Sequence, residues 1–190
     1  MKKSLIASLI AGLAFSTVAL AENGDSYIKL EGTHYNYTNG SNDKDGYNLQ
    51  IGKEVVPGIK LDVKQEWRHE EGTGKTSNRF EGGASYDYKI NKQLTVGVRG
   101  ALGEKYADEA NFGYYAVEPN VAYAINDALK IKASYRYRDS FNDAHADRTN
   151  TYKIGADYDL NKTYFVTGSL GRTTGDSEYT SIQGGVGIRF

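Results

Sequence analysis

From about residue 27 to the last residue, the chain repeats in twos. The clearest run is 59–69, where Ile59, Leu61, Val63 and Trp67 alternate with Lys60, Asp62, Lys64, Glu66 and Arg68. A period of two is the geometry of a strand, with successive side chains on opposite faces. The final run behaves likewise: Thr180, Ile182, Gly184, Val186, Ile188 and Phe190 share one side, and Tyr179, Ser181, Gln183, Gly185, Gly187 and Arg189 the other. Ten such segments can be marked, near 27–37, 47–55, 59–69, 78–88, 94–102, 112–125, 129–138, 151–160, 163–173 and 179–190. Merging two weak pairs would reduce the count to eight. In the ninth segment the faces are ambiguous, because Phe165 points inward if Tyr164, Val166 and Leu170 point out.

The connections alternate as well. Those after even segments are tight, as at Val56-Pro57-Gly58, Asn126-Asp127-Ala128 and Asn161-Lys162. Those after odd segments are mostly longer and polar, the longest being 139–149. Short turns at one end and long loops at the other, with one apolar and one charged face per strand, predict an all-β, antiparallel, up-and-down transmembrane barrel. Its apolar faces meet lipid and its charged faces line a lumen. Pro119 conflicts with this pattern, since a closed barrel has no free edge where a missing N–H is harmless. A bulge there, or a break near Glu118, is the expected remedy. Aromatics near both ends predict two interfacial belts. Tyr37, Tyr47, Trp67, Phe80, Tyr115, Tyr137 and Tyr152 fall toward the loops, and Tyr27, Tyr88, Tyr123, Tyr158, Tyr164 and Phe190 toward the turns.

The N-terminus reads as a secretory leader. Met1-Lys2-Lys3 is a positive start, an apolar core follows, and Val18-Ala19-Leu20-Ala21 offers small residues at a cleavage site. The expected division is a signal peptide over 1–21 and an outer-membrane barrel over 22–190. Mean hydropathy of −0.60 suits a wall in which only alternate residues meet lipid. Disorder fits poorly with 16 Tyr, 22 Gly and only 2 Pro arranged in alternating runs. There is no Cys, which removes disulfides and thiolate metal sites. Losing Lys2 and Lys3 takes the formal charge from −1 to −3, which gives no reason to expect nucleic acid as a partner.

Inward positions carry the candidate chemistry. Their bases are Lys29, Lys60, Lys64, Arg68, Arg79, Arg99, Lys130, Lys132, Arg136, Arg138, Lys153 and Arg189. Their acids are Glu31, Glu54, Asp62, Glu66, Glu81, Asp87, Glu118, Asp157 and Asp159. Positive charge is in excess inside a chain that is negative as a whole, which favours anions in a low-dielectric channel. Arg68, Arg79, Arg99, Arg136 and Arg138 are the main pore-lining candidates, with Lys60, Lys64, Lys130, Lys132, Glu66 and Glu81 beside them. Guanidinium stays charged when desolvated and meets carboxylates two-pronged. The competing reading is a narrow barrel sealed by its own ion pairs, structural or adhesive rather than conducting.

The leader, the ten segments and Gly184-Gly185-Val186-Gly187-Ile188-Arg189-Phe190 together resemble small bacterial outer-membrane porin-type proteins. Trp67-Arg68-His69-Glu70 and Tyr135-Arg136-Tyr137-Arg138 are similar in style to the oligogalacturonate-specific porins, which are longer, with twelve strands. The resemblance implies a passive channel for small, anionic or acidic-saccharide solutes in the outer membrane of a Gram-negative cell. It implies no cofactor. The implied partners are outer-membrane lipid and lipopolysaccharide, and the barrel-assembly machinery through Phe190. An enzyme would need a constellation of its own. His34, His69 and His145 all fall near loop-side ends, and Asp143-x-His145-x-Asp147 is the best candidate, more simply read as a solvated loop. Gly74-Lys75-Thr76 mimics the end of a phosphate-binding loop, but His69 stands where its first Gly must be and no helix follows. The chain is therefore expected not to be an enzyme.

Overall fold

The computed structural model describes residues 26–38, 41–107, 111–142 and 147–190. The leader, and with it the division at residue 21, lies outside them. The described residues form ten strands: β1 (Ser26–Tyr37), β2 (Lys44–Val56), β3 (Ile59–Glu70), β4 (Thr76–Lys89), β5 (Leu94–Ala107), β6 (Asn111–Ala124), β7 (Leu129–Ser140), β8 (Thr149–Asp159), β9 (Tyr164–Gly175) and β10 (Tyr179–Arg189). Each pairs antiparallel with its neighbours in sequence, and β10 closes on β1 from Tyr27↔Arg189 to Tyr37↔Tyr179. The result is a closed ten-stranded up-and-down barrel, which settles ten strands against eight. At 11 to 14 residues, the strands meet or exceed the roughly 9–11 that a tilted crossing needs.

Parity holds through every strand. Leu61 is 49% exposed while its neighbour Asp62 is 7% exposed, and Ile182 is 64% exposed beside Gln183 at 8%. The wall is therefore apolar outside and ionised inside, the inverse of a soluble sandwich. In β9, Phe165 is buried and Tyr164 exposed, so the phenyl ring belongs to the lumen.

Three of the four tight turns are built identically. In each, an Asn side-chain carbonyl accepts two backbone N–H bonds from the residues about to enter the next strand: Asn91 from Gln93 and Leu94, Asn126 from Ala128 and Leu129, Asn161 from Thr163 and Tyr164, all at 2.8–2.9 Å. The fourth uses Pro57 and Gly58, the latter at φ 83, in the left-handed region that Gly tolerates. A register shift at Glu54/Val56 leaves Val55 bulged just before that turn.

Two expectations fail. Pro119 causes neither bulge nor break: β6 runs unbroken and pairs Val98↔Pro119 on the β5 side. On the β7 side the ladder lapses at Glu118 and Pro119 and resumes at Asn120↔Ser134 in the register of Val117↔Tyr137. The missing N–H thus costs two pairings and no slip. Tyr27 and Tyr37 also leave the belts, because both share the inward parity of Lys29 and Glu31. The Tyr37 hydroxyl accepts from Arg68 at 3.4 Å within the lumen, and the Tyr27 ring lies over Gly52. Tyr47, Trp67 and Tyr152 remain exposed toward the loops, and Tyr88, Tyr123, Tyr158, Tyr164 and Phe190 toward the turns.

Candidate functional site: the lumen and its outer mouth

Inward charges on facing strands meet because a ten-stranded barrel is narrow enough for long side chains to cross it. At mid-height they form one continuous chain. Arg99 forks onto Asp62, with Nε and Nη2 at 2.8 and 2.6 Å from its two oxygens, and its Nη1 donates to Glu81 at 2.6 Å. Glu81 also accepts from Arg136, which reaches on to Glu118 at 3.3 Å, and from the Tyr114 hydroxyl at 3.1 Å. Asp62, Arg99, Glu81, Arg136 and Glu118 come from β3, β5, β4, β7 and β6, so this chain braces half the circumference. Glu81 is 3% exposed; a carboxylate so dry is tolerable because two guanidinium groups and a phenol satisfy it.

Below this level the pairs are separate. Lys29 meets Glu31 at 3.0 Å, Lys60 meets Asp87 at 3.0 Å, and Lys132 meets Asp157 at 2.6 Å. Arg189 lies 2.8 Å from Asp159 and its guanidinium caps the Phe165 ring at 4.3 Å. Lys153 donates to Gln183 at 3.1 Å. Lys64 stands in register between Gln50 and Glu81. Lys130 has the inward register too, at the turn-side end, and is exposed.

Above the brace, toward the long loops, the balance changes. Arg68 bonds Glu66, which also accepts the Tyr35 hydroxyl at 2.6 Å, and its guanidinium lies 3.9 Å over the Tyr35 ring and 5.4 Å over that of Tyr179. Arg138 is held by Asp147, with Nε 2.8 Å from one carboxylate oxygen and Nη2 donating to the other at 3.0 Å. Among the described residues Arg79 is weakly served: its ion pair to Glu66 is 3.6 Å long, and its buried Nε has no hydrogen-bond partner. Lys105, opposite Arg79 in the β4–β5 register, approaches Asp147 at 3.6 Å and lies 5.0 Å over the Phe112 ring. These groups floor a vestibule of about 420 Å³, whose lining includes Lys44, Arg68, Lys75, Arg79 and Lys105 against the acids Glu70 and Asp176.

All eleven pore-lining candidates therefore carry inward register, yet they divide by what they touch. Arg99 and Arg136 sit in the brace, Arg68 and Arg138 each hold one acid at close range, and Arg79 meets its acid only at 3.6 Å. Sequence reasoning missed Lys44, Glu70 and Lys105 as lumen charges, and placed Asp147 in a solvated loop triplet instead. Lys105 shares the parity of Arg99 but lies beyond Leu102, where the fifth segment's apolar alternation ends, and Asp147 is buried against Arg138 just before β8. The two added bases and two added acids leave the positive excess unchanged. Of the loop triplet, Asp143 and His145 lie outside the described residues, and Asp147 is committed to Arg138 and Lys105. The lumen also holds aromatic rings: Phe165 and Tyr179, which the alternation allowed inside, and Tyr35, Phe112 and Tyr114, which no expectation placed there. Tyr35, Phe112, Tyr114, Phe165 and Tyr179 are all buried.

A closed barrel with aliphatic side chains turned to the outside, aromatic rims and an ionised interior is an integral β-barrel of the bacterial outer membrane. Residues 7–178 match the Gram-negative porin family, and the chain belongs to it. No curated protein matches the sequence. Among solved structures it is similar to a KdgM porin in complex with disordered oligogalacturonate, at 10% identity, covering 88% of this chain and 98% of that one, with a TM-score of 0.50. It is similar also to the beta domain of the Bordetella autotransporter BrkA, at 11% identity, covering 87% and 98%, with a TM-score of 0.54. Identities this low concern the fold alone.

Proposed function

We propose that the protein is a narrow passive channel of the outer membrane that admits small anionic solutes from the loop side, with no catalytic role. The observation that carries this reading is the under-neutralised pair Arg79 and Lys105 on the floor of the vestibule. Unsatisfied donors in a recessed, poorly hydrated site attract anions more strongly than the same groups on open surface. Tyr37 and Ser77 line the same space, offering hydroxyls beside the guanidinium groups. That mixture suits a carboxylated saccharide, the chemistry of the oligogalacturonate solved with the KdgM porin. In this reading Arg68, Arg79 and Lys105 select, while Arg99 and Arg136 hold the barrel open to a fixed bore.

The test is single-channel recording in planar bilayers under a potassium chloride gradient. Discrete steps with a reversal potential on the chloride side are expected. Replacing Arg79 and Lys105 together by Gln should move that potential toward neutrality. Steps with cation preference would overturn the assignment of selectivity. The Asp62-to-Glu118 brace favours a second reading, a sealed structural or adhesive barrel, and absence of any step above leak would establish it.

The wall places lipid and lipopolysaccharide around the barrel. Phe190, exposed after the end of β10, is proposed to engage the assembly machinery. Phe190→Ala should then reduce the fraction of heat-modifiable, folded protein recovered from outer membranes, while leaving refolding in detergent unaffected.

A further inference from the structure

Two of the chain's three histidines, His34 and His69, flank the same aspartate on the outside of the barrel. His34 pairs with Asp45 across β1–β2, and Asp45 with His69 across β2–β3. All three point outward at the loop-side end, two strand positions beyond the register pair Tyr47↔Trp67. His34 Nδ1 lies 2.9 Å from Asp45 Oδ1, and its Nε2 is 3.8 Å from Asp43 Oδ2. Glu71, at the start of the β3–β4 loop, completes a set. His34, Asp45 and Glu71 each offer one ligand atom, and the three atoms lie within 4.8 Å of one another.

From this geometry we infer a divalent transition-metal site on the outer rim, with His34, Asp45 and Glu71 as ligands and His69 as the adjacent fourth donor. An imidazole with two carboxylates suits zinc-like ions. A magnesium or calcium site would be built from oxygens alone. Ligand atoms around a four-coordinate zinc ion stand roughly 3.4 Å apart, so rotamer adjustment of exposed side chains closes the set without moving the wall. Backbone and side-chain contacts fix the surroundings of the imidazole: the Glu71 N–H donates to the Asp43 carbonyl at 3.0 Å, which anchors the Glu71 backbone to the approach to β2, and the Tyr37 N–H donates to Asp43 Oδ1 at 3.0 Å. A bound ion would tie β1, β2 and the β3–β4 loop together outside the lumen. The inference therefore stands apart from the question of conduction.

Calorimetric titration of zinc chloride into the refolded full-length barrel in zwitterionic detergent tests it, with magnesium and calcium chloride as parallel arms. Saturation at one ion per chain is expected for zinc. His34→Gln and Asp45→Asn should each weaken it about tenfold or more, and His69→Gln by a smaller factor. Heat-modifiable mobility must survive in each variant, as it should for exposed side chains on a closed wall. Non-saturating zinc heats, or saturation unchanged in both the His34 and Asp45 variants, overturn the site. Equal saturation by calcium would overturn its assignment to a transition metal.

Discussion

Three lumen glycines stand directly across the ladder from three aromatic residues: Gly52 from Tyr27, Gly103 from Tyr114, and Gly187 from Phe165. In each case a Cβ built on the glycine would overlap the opposing ring. The bulky residue covers a backbone that has no side chain of its own, which lets aromatic rings lie flat in a narrow interior without widening the barrel. Gly103→Val or Gly187→Val should therefore destabilise the barrel by about 1–3 kcal/mol, the usual range for overpacking, read as a lowered urea midpoint in detergent. Gly184→Val is the control. It faces lipid with nothing near a built Cβ, and its midpoint should hold or rise. Tyr27 and Tyr114 share the parity of their strands' inward charges, and Phe165 that of the inward Thr167 and Ser169. The residue-type preference that sent Tyr27 and Tyr37 to the membrane interface was weaker than the strand period, since one slip would turn Lys29 and Glu31 into lipid.

At the scale of elements, nearly everything governed by alternation could be read in advance. The ten segments, their faces and the short-turn end follow from apolar residues at every second position. What escaped was set by partners distant in sequence. The ladder tolerates Pro119 because β5 and the flanking pairs hold the register, which no local rule about proline reports. Strands also run past their last alternating apolar residue, and Lys105 lies in such an extension of β5. The repeated Asn device was legible in Ile90-Asn91, Ile125-Asn126 and Leu160-Asn161, each followed by an apolar or aromatic residue three positions beyond the Asn. Because each Asn satisfies two backbone donors, Asn126→Ala and Asn161→Ala should each cost roughly 1 kcal/mol. The two turns join different strand pairs, β6–β7 and β8–β9, so the double variant should lose the sum in the same urea titration.

For the whole molecule, stiffness and permeability depend on the same groups. The brace from Asp62 to Glu118 resists collapse of the barrel across half its circumference, and it also narrows the bore through which any solute must pass. Removing Asp62 and Arg99 together, as Asp62→Asn with Arg99→Gln, deletes one acid and one base and leaves the lumen's net charge unchanged. The conductance step should then grow severalfold while the reversal potential stays near its original value, because Arg79 and Lys105 above remain. Glu81→Gln behaves differently. It leaves Arg99 and Arg136 short of a buried carboxylate, so it should cost about 3 kcal/mol of stability and strengthen anion preference at once. Ionic strength separates the vestibule's long-range field from direct contact. At 0.1 M salt the screening length is about 10 Å, comparable to the span of a small pore, whereas at 1 M it is about 3 Å. Anion preference arising from the summed charge of Arg68, Arg79 and Lys105 should accordingly fade between those concentrations in the wild-type channel. If it persists at 1 M, selectivity lies in contacts made at the level of the brace, and exchanging Arg136 for Lys should then abolish it while the Arg79 and Lys105 variants leave it intact.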